Sequence, residues 1–146
     1  MKVTTLAGNL IARYGTNDPF AIANALGVKV VYRPLMEMRG HYSNIRGVPM
    51  ITLADDLLPI TARFVCGHEL GHHIKHGHLN RPFMDSRTFM VPDKYENEAD
   101  SFAYCLTFPM YERYVDAEQV TVWDMADCLN VEAVRVENRL FEIGQY

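Results

Sequence analysis

The stretch Pro59-Ile60-Thr61-Ala62-Arg63-Phe64-Val65-Cys66-Gly67-His68-Glu69-Leu70-Gly71-His72 decides how the rest of the chain is read. No breaker interrupts it, and Pro59 suits a first helical turn, where its missing N–H has no bond to lose. Ile60, Phe64, Gly67, Leu70, Gly71 and Ile74 recur three or four residues apart, an apolar or small face. The spacing predicts a helix from about Pro59 to His76, with Gly77 as its stop. On that helix His68 and His72 lie one turn apart, about 6 Å along the axis. From one face their imidazoles can grip a single Zn²⁺. Glu69 points roughly 100° further round, within reach of a water on the metal without being a ligand. Zinc brings such a water's pKa towards about 7, and the carboxylate can take its proton as it attacks a carbonyl. Gly71 costs about 1 kcal/mol of helix propensity against alanine. In exchange it lets another element approach the site.

Two histidines leave a tetrahedral zinc short of one protein ligand. His78 lies ten residues after His68, but Lys75 stands where a chain-reversing H-E-x-x-H-x-x-G-x-x-H pattern needs glycine. His76 is a turn too far along the axis and is better placed to meet the dipole at the helix end. The segment Tyr95-Glu96-Asn97-Glu98-Ala99-Asp100-Ser101-Phe102-Ala103 fits better. As a helix it puts Glu96, Ala99, Asp100 and Ala103 on one face and turns Glu98 away. Glu96 is the expected third ligand, with Glu98 in reserve. Asp100 is expected to accept the free N–H of a ligand histidine and so fix its tautomer. His73 faces away from His72 as a surface or supporting residue. An oxyanion donor is also wanted, for which Tyr95, Tyr104, His41 and Tyr42 all qualify.

The whole chain sets the frame for this chemistry. Its 146 residues, 49% hydrophobic and 22% charged, describe one globular domain with a core of its own. A net charge of −4 disfavours nucleic acid or an anionic membrane as the main partner. No apolar run approaches the roughly 20 residues of a membrane span, and the N-terminus lacks a signal-peptide pattern. Cys66, Cys105 and Cys128 are odd in number and far apart, as expected of reduced thiols in a cytoplasmic protein. Helices are expected at Thr5–Tyr14, from Asp18-Pro19 to Gly27, and at Lys94–Phe108 before Pro109. Strands are expected at Val28–Tyr32, Gly40–Ser43 and Val48–Thr52, with an irregular loop over residues 77–92. This is an α+β order. The strand near Val48 is a candidate edge for an extended substrate, although Pro49 removes one donor there.

The two blocks Thr61–His72 and Glu96–Ala103, followed by Pro109, resemble the ImmA/IrrE family of zinc metallopeptidases. That family pairs R-F-x-x-x-H-E-L-G-H with an E-x-x-A-[ND]-x-F-A helix ending near a proline. Its usual L-L-M-P is Leu106-Thr107-Phe108-Pro109 in this sequence. The resemblance covers roughly residues 40–110. It implies a zincin-like fold, His68, His72 and Glu96 as zinc ligands, and Glu69 as the catalytic carboxylate. It also implies a substrate class: helix-turn-helix repressors, cut to release transcription.

Residues 117–143 have the rhythm of two helices broken near Asn130. Glu132 and Glu137 offset Arg135 and Arg139, and Asp116, Glu118, Asp124 and Asp127 precede them. Phosphate contacts dominate DNA affinity, so this pair is expected to pack on the domain or hold the protein substrate rather than bind DNA. Trp123 and Met125 read as core. The expectation is a zinc-dependent endopeptidase of gluzincin type. The alternative is a non-catalytic antirepressor or immunity-type binding module with a structural zinc.

Overall fold

The computed structural model describes residues 3–76 and 93–107. Four helices and three strands follow in the order α1 (Val3–Tyr14), α2 (Pro19–Ala25), β1 (Lys29–Arg33), β2 (Gly40–Ile45), β3 (Val48–Ala54), α3 (Pro59–His76) and α4 (Asp93–Thr107). The α+β class is as expected. The loop at 77–92, His78, Pro109, Cys128 and the C-terminal helical pair fall outside the described residues.

Local chemistry sets the element ends. Asp18 caps α2, its Oδ1 accepting from the Phe20 N–H at 3.0 Å, and Pro19 occupies the first turn. Between β2 and β3, Arg46 and Gly47 have φ of 54° and 81°. Two positive φ values make the two-residue turn whose twist suits a tight hairpin, and glycine takes its share without strain.

The sheet order is β1-β3-β2, with β3 parallel to β1 and antiparallel to β2. The segment at Val48–Thr52 is therefore not an edge but the centre of the sheet, which corrects the sequence expectation. Pro49 is tolerated because the parallel ladder with β1 begins only at Met50; at position 49 the strand meets β2 alone, opposite Asn44. The edge beside α3 is β2, since α3 packs on both β2 and β3.

One row of side chains crosses the sheet through Val30, Ile51 and Tyr42. Ile51, Tyr42 and Leu53 are buried and share a core with Ile22 and Val28, Val65 and Leu70 of α3, and Phe102 and Leu106 of α4. The predicted face of α3 divides its work. Phe64 and Leu70 are buried in the interior, while Gly67 and Gly71 receive α4. A Cβ at Gly67 would lie 3.2 Å from Ala103 Cα, and one at Gly71 3.2 Å from Ala99 Cα. The two helices thus meet backbone to backbone along a seam of small residues.

Candidate metal centre

The glycine–alanine seam fixes what the polar residues can reach. With Ala99 against Gly71 and Ala103 against Gly67, the face of α4 that carries Glu96 and Asp100 lies over the face of α3 that carries His68 and His72. Glu96 Oε2 lies 3.1 Å from His68 Nε2, and its Oε1 lies 3.2 Å from His72 Nε2. The two Nε2 atoms are 3.1 Å apart. Asp100 Oδ1 is 2.8 Å from His68 Nδ1. A carboxylate only accepts, so Nδ1–H donates, and the lone pair of neutral His68 is on Nε2.

Two ring nitrogens and a carboxylate therefore converge within hydrogen-bonding distance of one another. Only protons or a cation can hold them together. The titration of His68 expresses the same demand. Burial opposes its charged form, but hydrogen bonds to Asp100 and Glu96 override this and push the imidazole up to about 10. Burial likewise opposes ionisation of Glu96, yet the two histidines hold it well below the usual carboxylate range. A tetrahedral zinc with bonds near 2.0–2.1 Å separates its ligand atoms by about 3.3 Å. The 3.1 Å between the two Nε2 atoms is of that order, and each Glu96 oxygen lies at a like distance from one of them.

Glu69 lies beside the same imidazoles. His68, Glu69 and His72 each offer an atom within 4.8 Å of the others, a group able to hold a metal ion. Glu96 comes closer to both rings than that limit, so two carboxylates compete for the ligand position. Glu69 is only 6% exposed, and its Oε2 is buried without a hydrogen-bond partner among the described residues. Leaving a buried carboxylate oxygen unpaired costs about 1–3 kcal/mol or more, and Glu69 also lines a cleft. That cleft, about 340 Å³, is lined by His68, Glu69 and Asp100 on one side and by Gly40, Val65 and Tyr104 on another.

Other sequence candidates separate cleanly. Glu98 turns away, as expected, its Oε2 3.3 Å from Lys75 Nζ. Tyr104 lines the cleft. Tyr42 does not: it is fully buried, its hydroxyl 2.8 Å from His73 Nδ1 and the rings 5.3 Å apart. His73 is thus half-buried and joined to the sheet rather than a free surface residue, and burial lowers its pKa. Cys66 and Cys105 are buried free thiols, raised by burial above all, Cys105 to about 11. Such thiols stay protonated and take no part in the site. What sequence reasoning missed is the Tyr42–His73 pairing and the role of Gly40. The signal for Gly40 was a glycine opening an alternating strand. No described helix is long and apolar enough to cross a membrane.

A protein of Bacillus phage phi105, "Uncharacterized immunity region protein 2", is 38% identical over 101 residues, 68% of this chain and 64% of the relative. The chain thus matches a little under two thirds of that protein's length. The profile of the peptidase family described as "IrrE N-terminal-like domain" matches residues 23–140, a span that takes in the sheet, the histidine helix and the glutamate helix. With the seam, the paired histidines and that match together, the chain belongs to the IrrE N-terminal-like, or ImmA/IrrE, family.

Proposed function

We propose that this protein is a zinc-dependent endopeptidase. The observation that carries the reading is the convergence of His68 Nε2, His72 Nε2 and Glu96 within 3.1–3.2 Å of one another, around a point that demands positive charge. His68, His72 and Glu96 would hold the ion, and Asp100 fixes the His68 tautomer. Two imidazoles and a carboxylate are a donor set that zinc favours in catalytic sites, with a position left open. Bound there, zinc supplies Lewis acidity, lowering the pKa of water and polarising a carbonyl.

The division of labour between the carboxylates follows from geometry. Glu96 touches both imidazoles. Glu69 has a buried oxygen without a partner and faces the cleft, so it takes the proton from the attacking water and returns it to the leaving amine. A structural zinc would be closed off by a fourth protein ligand. Among the described residues a cleft leads to His68 and Glu69, which favours catalysis over a purely sequestering module.

The substrate we infer is a helix-turn-helix repressor, a polypeptide cut to relieve repression. The resemblance to the ImmA/IrrE family and the immunity-region name of the phage relative support this. The experiment is incubation of the zinc-loaded protein with the regulator encoded beside it, with and without chelator. Zinc-dependent cleavage is expected, reduced by about 10²–10⁴-fold in Glu69→Gln, the usual contribution of a general base. The variant should keep its metal. An intact repressor in a stable complex would support sequestration instead, and full activity in the variant would remove Glu69 from the mechanism.

A further inference from the structure

The seam between α3 and α4 fixes how closely the two helices approach, but its glycines present no side chain to stop one helix sliding along the other. Position along the seam is set at the end away from Glu96. Gly71 faces Ala99 and Gly67 faces Ala103, so the helices run antiparallel, and one turn further on Arg63 comes level with Thr107. There a side chain from outside the pair joins them. Asn17, in the connection between α1 and α2, donates from Nδ2 to the Leu106 carbonyl at 3.2 Å. Its Oδ1 accepts from Arg63 Nη2 at 3.4 Å. A carbonyl only accepts and a guanidinium only donates, so a single orientation of the amide serves both.

Both ends of this bridge are built into the fold. Leu106 lies in the last turn of α4, where carbonyls have no partner within the helix. It is fully buried, so solvent does not reach that carbonyl in place of Asn17. Arg63, its side chain only 15% exposed, holds two successive residues of the connection: Asn17 through Nη2, and Asp18 with Nη1 3.8 Å from Oδ1. The Asp18 N–H donates to Thr16 Oγ1 at 3.1 Å, which tightens the same turn. Helix α1 packs on α4 and α2 on α3, so the connection between α1 and α2 spans the end of the helix pair. Leu106 comes ten residues after Glu96, about 15 Å along the helix, and touches nothing in the metal centre directly.

We propose that Asn17 is a positioning residue for the metal centre. Its one amide sets where α4 stands along α3, and the helix carries that setting from Leu106 to Glu96. The tolerance at Glu96 is narrow, because its two oxygens meet different imidazoles, at 3.1 and 3.2 Å. A slip of one residue's rise, about 1.5 Å, takes it away from one ring or the other. The inference rests on the zinc reading for its consequence, whereas the hydrogen bonds beneath it need no metal.

The test is calorimetric zinc titration of the full-length protein, together with the visible spectrum of its cobalt-substituted form. Parent, Asn17→Asp, Asn17→Ala and Asp18→Ala are compared well below their melting temperatures. Asn17 is partly exposed in a turn, so its replacement leaves the core intact. Asn17→Asp keeps an acceptor for Arg63 but has no donor for the Leu106 carbonyl. Both Asn17 variants should bind zinc about tenfold more weakly or worse, the scale found when a group that orients a ligand is removed, and their cobalt bands should shift. Asp18→Ala loses the cap of α2 and should melt at a lower temperature, yet keep the parent's zinc affinity and cobalt bands. Asn17 variants that melt lower but bind zinc like the parent would make Asn17 a helix cap alone and overturn the proposal. An equal loss of affinity in Asp18→Ala would overturn it too. A parent that takes up no stoichiometric zinc overturns the metallopeptidase reading and the positioning role with it, a failure read on the parent alone.

Discussion

Helix α3 is held from two directions by opposite means. Towards α4 it presents Gly67 and Gly71, where a Cβ would already crowd the Ala103 and Ala99 backbone at 3.2 Å. Towards the sheet it meets large buried side chains, Tyr42, Ile51 and Leu53, with the Tyr42 hydroxyl on His73. The glycine contacts set distances to a few tenths of an ångström, because the Ala99 and Ala103 backbone on the other side cannot rotate out of the way. The large-residue contact supplies burial, and side chains there can repack. The proposed metal ligands are divided across the first contact, and the cleft beside them is lined from the start of β2, α3 and α4. On the proposed reading, the precision of coordination therefore depends on the small-residue interface of this helix rather than on the large-residue one.

Substitutions that treat the two interfaces differently probe this contrast. The largest effect is expected from Gly71→Val. Its Cβ alone would sit 3.2 Å from Ala99 Cα and from Phe102 Cβ. Overpacking of this kind costs about 1–3 kcal/mol. Separation of the helices carries Glu96 away from both imidazoles, so zinc affinity should fall by at least tenfold although no ligand is changed. Tyr42→Phe is the counterpart on the sheet side. It removes one hydrogen bond, about 1 kcal/mol of stability, and should leave zinc affinity unchanged. Calorimetric zinc titrations and thermal melts measure both. Equal losses of metal affinity in the two variants would erase the distinction.

A smaller effect concerns pH in the metal-free protein. His68 is raised from 6.5 to about 10, so its contribution to stability is fully present below pH 6.5 and is lost as pH climbs through about 10. Glu96 is lowered from 4.5, so its contribution is present above pH 4.5 and is lost as pH falls below it. Together they favour the metal-free fold most between about pH 4.5 and 6.5. Zinc replaces the proton, so its binding at neutral pH should release protons and abolish the alkaline loss. Melting temperatures across pH, with chelator and with zinc, read this directly. A metal-free protein whose stability rises from pH 7 to 10 would contradict it.

The histidine helix, the cap at Asp18 and the glutamate face of α4 were legible in the sequence because each signal lies within a turn or two of itself. Glu96 and Asp100 are four positions apart, and the period of the helix alone puts them on one side. Strand order was not legible. The strand at Val48 was read as an edge in spite of Pro49, but which neighbour begins at which residue is a long-range matter, and the ladder with β1 starts one residue later, at Met50. Tyr42 and His73 lie 31 positions apart. Alternation puts His41 and Tyr42 on opposite faces, yet only the packing of α3 decides which face is covered. Gly40 is of the same kind: its lack of a side chain matters because of Val65, which no local pattern reveals.

The central claim is that three side chains from two helices enclose one divalent ion. The most direct measurement is zinc stoichiometry and affinity of the purified, chelator-treated protein compared with Glu96→Ala and Glu98→Ala. The account predicts one zinc per chain in the parent and in Glu98→Ala, and sharply weakened binding in Glu96→Ala. A parent protein that takes up no stoichiometric zinc, or loss of zinc on changing Glu98 rather than Glu96, would contradict it.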